Sequence, residues 1–207
     1  MTVTSALSER WKKLVSEEDF TPVIPVPKRY EVLDLNNGYK PDLIKELPFA
    51  VGKYDELRQN MYVSEHFEGV RNIHIGIDLW CKAGTPIYAF ADGVIFGATY
   101  IAKPLDYGAT IITEHKIADI TYYALFGHVS LESTKKWKSG EEFKQGEVLT
   151  HVGHENENGG WAPHLHFQLS LKKPETIDMP GVVAKENRSE ARSIYPDPQY
   201  ILGKLYD

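Results

Sequence analysis

The hydrophobic positions of this chain change rhythm about a third of the way along. Leu7, Trp11, Leu14 and Val15 recur at helical intervals, so residues 4–18 are predicted to form an amphipathic helix. The Pro-rich stretch from Pro22 to Pro27 is expected to be extended, and Asp34-Leu35-Asn36-Asn37-Gly38 reads as a turn. Leu43 and Leu47, then Tyr54 and Leu57, suggest one or two short helical pieces interrupted by Pro48. From His74 on, the pattern becomes short apolar runs separated by Gly and Asp: residues 86–90, 94–100, 109–114, 120–126, 147–152 and 164–171. Runs of this length at close spacing predict a mainly β fold, a compact antiparallel β-sheet domain with an N-terminal helical extension. The expected organisation is an extension over 1–62, a β domain over 63–171 and a C-terminal tail over 172–207. The first third has too few periodic apolar positions for a core of its own, so it is expected to pack on the β domain and to shape or cover its cleft.

Three short motifs interrupt the apolar pattern with chemistry that needs a reason. His74-Ile75-Gly76-Ile77-Asp78, Phe126-Gly127-His128-Val129-Ser130 and Pro163-His164-Leu165-His166-Phe167-Gln168 hold four of the eight histidines and one aspartate among apolar, Gly and Pro residues. Imidazole and carboxylate without thiols is the ligand set of a catalytic zinc site, in which three protein groups leave one position open for water. Ligand atoms on one zinc lie about 3–3.5 Å apart, because each bond is about 2 Å. His164 and His166 alternate with Leu165, Phe167, Leu169 and Leu171 in what reads as a half-buried strand, so both face one side, about 6–7 Å apart. One can be a ligand while the other lies beside the reacting water. His74 and Asp78 would be about 13 Å apart in a straight strand, too far to share an ion. Gly76 lets the backbone turn sharply between them, which predicts a bent edge or bulged segment there.

The ordered set His-x-Gly-x-Asp, Gly-His-x-Ser and Pro-His-Leu-His-Phe resembles the lysostaphin-type (LytM-like) zinc metallopeptidases, which cut peptide cross-bridges of bacterial peptidoglycan. The resemblance runs from about Val63 to Leu171 and implies that family's compact, hybrid-motif-like antiparallel fold. It further implies Zn2+ held by His74, Asp78 and His166, with His128 and His164 flanking the metal-bound water and the scissile carbonyl as catalytic residues. The family has no His-Glu-x-x-His helix, and none occurs here; the proton work falls to the two histidines, whose ordinary pKa near ~6.5 suits transfer at neutral pH. The family's oxyanion tyrosine lies upstream of the first motif; Tyr62 is the nearby candidate, at an offset that departs from the family pattern. The expected substrate is a peptide or peptidoglycan fragment. Two other readings remain open. One is an intracellular zinc hydrolase on a non-wall substrate, since residues 158–163 and 195–198 look similar to family variants fused to intracellular enzymes. The other is an inactive member serving as a binding or activator module, although all five site positions are intact. The segment around residues 83–93 also resembles half of a lipoyl or biotinyl carrier domain, but Asp92-Gly93 stands where a carrier needs lysine.

Composition narrows the remaining possibilities. A chain of 207 residues, 42% hydrophobic and 25% charged, can bury a core without disulfide staples. The net charge of −6 gives no electrostatic reason to expect nucleic acid or an anionic membrane as partner. The single cysteine, Cys81, allows no internal disulfide and is expected to be an inert packed residue. No window reaches the ~20 apolar residues of a membrane-spanning helix. The start, Met1-Thr2-Val3-Thr4-Ser5-Ala6, has no basic leader or apolar signal core, so as written the chain is expected in the cytoplasm. His151 is expected on a strand and His154 on a loop at the cleft rim, while His66 and His115 count as surface. Trp161, on the loop before the third motif, is a candidate wall of a peptide groove.

Overall fold

The computed structural model describes residues 5–59, 61–62 and 70–207; Val63 and His66 lie outside them. The chain opens with α1 (Ser5–Val15), followed by β1 (Glu31–Val32), α2 (Pro41–Glu46), β2 (Ala50–Gly52) and β3 (Glu56–Leu57). Then come β4 (Arg71–His74), β5 (Ile77–Trp80), β6 (Pro86–Tyr88), β7 (Gly93–Ile101), β8 (Gly108–Ile117) and β9 (Ile120–Gly127). After α3 (Leu131–Lys136) follow β10 (Glu142–Phe143), β11 (Val148–His151), β12 (His164–Ser170), β13 (Val182–Ala184), α4 (Arg188–Ile194) and α5 (Gln199–Leu202). The fold is mainly β. Its main sheet has eight strands in the order β1-β2-β5-β12-β9-β8-β7-β10, antiparallel throughout except for β1 on β2. A second sheet joins β13, β4 and β3, and β11 pairs with β6.

Each predicted apolar run from residue 86 onward forms a strand near its expected position, with β6 stopping at Tyr88. The helix predicted at the start is present as α1. Its Trp11 and Val15 are buried, and the Trp11 ring meets Tyr122 edge-on at 5.5 Å. The apolar stripe that no local core could cover therefore lies against the β8–β9 hairpin, which is why this amphipathic helix persists.

Four expectations need correction. Tyr54 and Leu57 do not mark a helical piece: Leu57 ends β3, and Glu56 pairs with His74. An i, i+3 spacing imitated a helix in a segment whose hydrogen bonds go to β4. The strand of the third motif is buried along its whole length, not half-buried, because its polar face looks into the site. Gly76 does mark a sharp change of course, but not at an edge: β5 lies inside the main sheet, between β2 and β12. Finally, His115 is 2% exposed, between Phe90 and Tyr122, bonded to Thr113 Oγ1 (2.8 Å) and to Asp92 O (2.9 Å).

Burial holds the pKa of His115 down to about 4, so the folded protein keeps it neutral where the unfolded chain binds a proton. Its contribution is present in full above pH ~6.5 and is lost as pH falls toward 4, by on the order of 3 kcal/mol. His115→Gln should consequently cost much more stability at pH 7 than at pH 4.5, as read from urea midpoints. An equal cost at both pH values would refute this assignment.

Candidate metal centre

Sheet register builds the site. In β12, His166 lies opposite Asp78 of β5 on one side and Gly127 of β9 on the other, so the second and third motifs meet across one strand pair. His74 reaches the same point from the smaller sheet, as the last residue of β4 before the chain crosses at Ile75-Gly76 into β5. Only glycine fits at the crossing, because a Cβ on Gly76 would lie 2.4 Å from the His166 ring. His74, Asp78, His128, His164 and His166 are all at most 5% exposed and line one cavity of about 100 Å³.

Three acceptor atoms converge there. His74 Nε2 lies 3.1 Å from His166 Nδ1 and 3.3 Å from Asp78 Oδ1, and the last two are 3.0 Å apart. The opposite ring nitrogens set the tautomers. His74 Nδ1 donates to Lys53 O at 2.9 Å, and His166 Nε2 donates to Gln168 Oε1 at 3.0 Å. In the neutral rings, therefore, neither site-facing nitrogen carries a hydrogen. Three lone-pair atoms this close repel one another unless a cation lies among them.

Electrostatics keeps the groups in states that can bind a cation. Burial, reinforced by the Arg58 charge, lowers the pKa of His74 to about 4. For Asp78 burial works against ionisation, but the neighbouring His74 and the Arg58 guanidinium outweigh it and hold the carboxyl well below its usual range. At neutral pH His74 is thus an unprotonated imidazole and Asp78 a carboxylate, the forms that ligate metals.

The other two histidines stand beside this group. His164 Nε2 is 3.9 Å from Asp78 Oδ1, and its ring stacks on Trp80 at 3.9 Å and lies 4.2 Å from the His128 ring. His164 donates Nδ1–H to Ala162 O at 2.8 Å, and His128 donates Nδ1–H to Asn158 O at 2.9 Å. Each is left with Nε2 as its exchangeable nitrogen. Burial lowers the pKa of His164 to about 4 and that of His128 well below its ordinary value. His128 takes φ = 63°, a left-handed backbone uncommon for a residue with a side chain. It is held there by bonds from its N–H to Tyr107 O (3.1 Å) and from Gly153 N–H to its carbonyl (2.8 Å).

Other sequence expectations fall into place around the cavity. Trp161 is 3% exposed, lines the cavity and meets Tyr39 edge-on, so it both packs and forms a wall. Tyr62 lines the cavity too, and Arg58 donates to its hydroxyl at 3.1 Å. His154 is exposed on its loop and His151 on β11, and neither lines the cavity. The Cys81 thiol is pushed up to about 11 by burial, in keeping with an inert residue.

Sequence reasoning missed the supporting groups. Arg58, Tyr107, Gln168 and the carbonyl of Lys53 all touch candidate ligand side chains. Gln168 could have been found, since it shares the His166 face two residues on in a strand. Tyr39 also escaped notice, although its hydroxyl accepts from Ala162 N–H at 3.0 Å and so steadies the carbonyl that orients His164.

Comparison with known proteins gives this geometry a context. Over 112 residues the chain is 31% identical to DD-carboxypeptidase/endopeptidase Mpg of Neisseria meningitidis serogroup B, covering 52% of this chain and 23% of that protein. Peptidoglycan DD-endopeptidase ShyC of Vibrio cholerae is 31% identical over 111 residues, covering 52% and 23%. The chain thus spans under a quarter of the length of either relative. Among solved structures, the catalytic domain of the antimicrobial peptidase lysostaphin from Staphylococcus simulans aligns over 80% of this chain and 99% of that one, with a TM-score of 0.49 and 21% identity. No helix among the described residues is long and apolar enough to cross a membrane. The family model for peptidase family M23 matches residues 72–179, a span that covers just over half of the chain and encloses all five site side chains, and the chain belongs to that family.

Proposed function

We propose that this chain is a zinc-dependent endopeptidase that hydrolyses short peptide bonds of the peptidoglycan cross-bridge type. The observation that carries the reading is the convergence of His74 Nε2, Asp78 Oδ1 and His166 Nδ1 within 3.3 Å of one another. The donor set, two imidazoles and one carboxylate, fits zinc with a position left open. Family membership and the endopeptidase names of the relatives support the reaction class, and the peptidoglycan in the name of the Vibrio cholerae relative supports the substrate. A cavity of about 100 Å³ suits a backbone bearing small side chains.

His74, Asp78 and His166 would hold the ion. Zinc bound there supplies a Lewis acid, which lowers the pKa of its water and polarises the substrate carbonyl. The remaining steps belong to the chain's own groups. Because burial keeps His128 and His164 neutral, one of them accepts the proton of the attacking water at Nε2. The imidazolium so formed returns that proton from Nε2 to the leaving amine as the peptide bond breaks, while the other ring, neutral with its N–H on a carbonyl, accepts at Nε2 a hydrogen bond that orients the water. Asn158 O and Ala162 O fix the two ring orientations throughout. Trp161 and Tyr62, on one wall of the cavity, exclude water from the bond being cut.

The test combines metal analysis with turnover on purified peptidoglycan and on a library of short peptides. Near-stoichiometric zinc with cleavage of peptidoglycan peptides is expected; cleavage only of unrelated peptides would refute the wall substrate. His128→Ala and His164→Ala should retain zinc yet lose about 10²–10⁴-fold in kcat. Loss of metal in His164→Ala would mean that His164, 3.9 Å from Asp78 Oδ1, is itself a ligand.

A further inference from the structure

We propose that Arg58 is a positioning residue for the metal centre, holding Asp78 so that a single carboxylate oxygen faces the ion. The inference rests on the zinc-site reading above. The Arg58 side chain is 0% exposed and is the only fully buried arginine among the described residues. Its Nη1 donates to Asp78 Oδ2 at 2.6 Å, while the other carboxylate oxygen, Oδ1, faces His74 and His166. Its Nε donates to Glu56 Oε2 at 3.0 Å, Nη2 to Lys53 O at 3.4 Å, and Nη1 also to Tyr62 Oη at 3.1 Å. One rigid fork therefore contacts a ligand, a residue of the cavity wall and the carbonyl that sets the tautomer of a second ligand, His74.

Charge explains the composition of this cluster. A guanidinium alone beside a cation site would oppose metal binding. Glu56 counters it from the far side, and is itself anchored by the Leu35 N–H at 3.1 Å. With Oδ2 held by Arg58, Asp78 cannot rotate to offer both oxygens to one ion, and its Oδ1 lone pairs are fixed in direction. Space for the fork is provided across the β2–β5 pair, where Gly52 lies opposite Asp78. A Cβ at Gly52 would lie 2.7 Å from Arg58 Nη2 and 3.3 Å from Asp78 Cβ. The strand pairing, the glycine and the buried ion pair point to the same task. Lysine cannot perform it, since an ammonium is a point donor that cannot span Glu56, Tyr62 and Asp78 together.

The test measures zinc affinity of the metal-free full chain by chelator competition, and the absorption spectrum of the cobalt-loaded protein, for wild type, Arg58→Met and Arg58→Lys. Arg58→Met should weaken zinc binding about 10–100-fold and alter the cobalt spectrum. Arg58→Lys should weaken it less but still alter the spectrum, and because it keeps the buried charge it remains informative if Arg58→Met does not fold. A residue needed only for stability would lower the melting temperature of the metal-free protein in Arg58→Lys and leave zinc affinity and spectrum as in wild type; that result overturns the proposal. Failure of the wild-type chain to bind zinc would instead overturn the metal-centre reading, and this proposal with it.

Discussion

His166→Ala is expected to eliminate both stoichiometric zinc and hydrolysis, while leaving a folded protein. His166 touches both other candidate ligands: its Nδ1 faces His74 Nε2 and Asp78 Oδ1, and its Nε2 bonds Gln168. Its loss leaves two protein ligands, too few for a zinc site that normally keeps three. The cost to the fold is smaller. Gln168 Oε1 loses its imidazole donor, which in a buried position is worth about 1–3 kcal/mol, but Tyr107 Oη remains 3.4 Å away to approach it. The backbone pairing of β12 with β5 and β9 does not depend on the ring. Elemental analysis, circular dichroism and turnover on peptidoglycan check the three parts separately. Wild-type zinc content in His166→Ala would remove His166 from the ligand set, and the proposed centre would have to be redrawn around His164.

A chain beginning at Met61 is expected not to fold. The segment it lacks contributes Trp11, Val15, Val23, Ile24, Phe49 and Val51 to the main hydrophobic core, each at most 3% exposed. Burial of six large side chains is worth roughly 10 kcal/mol, comparable with the ~5–15 kcal/mol that holds a whole domain together. The truncation also strips β2 from β5 and β3 from β4, exposing backbone on the strands that carry Asp78 and His74. Lys53 O, Arg58 and Tyr39 would go with it. The expected result is aggregation or the absence of a cooperative thermal transition. A soluble truncation with a sharp transition and higher turnover would show instead that the segment acts as a removable cover over the cleft.

What could be read from the sequence follows from where each signal resides. The five site side chains were legible because polar groups stood at fixed intervals within apolar motifs, and the structure brings all five together around one cavity. The longer strands were legible because each carries its own alternation of apolar residues. The strands β1, β2 and β3 were not: at two or three residues each, they are strands only because β2, β5 and β4, respectively, lie beside them. His115 was misjudged for a similar reason, since the rings that enclose it belong to other segments, Phe90 to the bend after β6 and Tyr122 to β9. Least visible were the supports. The carbonyls of Lys53, Ala162 and Asn158 orient three histidines, and a carbonyl is present in every residue, whatever its side chain.

The crossing at Gly76 has a mechanical consequence. His74 belongs to the three-stranded sheet, whereas Asp78 and His166 belong to the eight-stranded one. An ion shared by the three would act as a rivet between two plates that are otherwise joined near this point by the chain at Ile75-Gly76, by the Arg58–Asp78 ion pair and by the Gln168 Nε2–H bond to Pro180 O, just ahead of β13. Pulling the rivet would loosen the smaller plate as a unit, and with it β13, which pairs with His74 through Val182. In the proposed centre the side chains that hold the ion would also brace the two plates, so a chelator is expected to soften the protein on the β13 side as well as to stop hydrolysis.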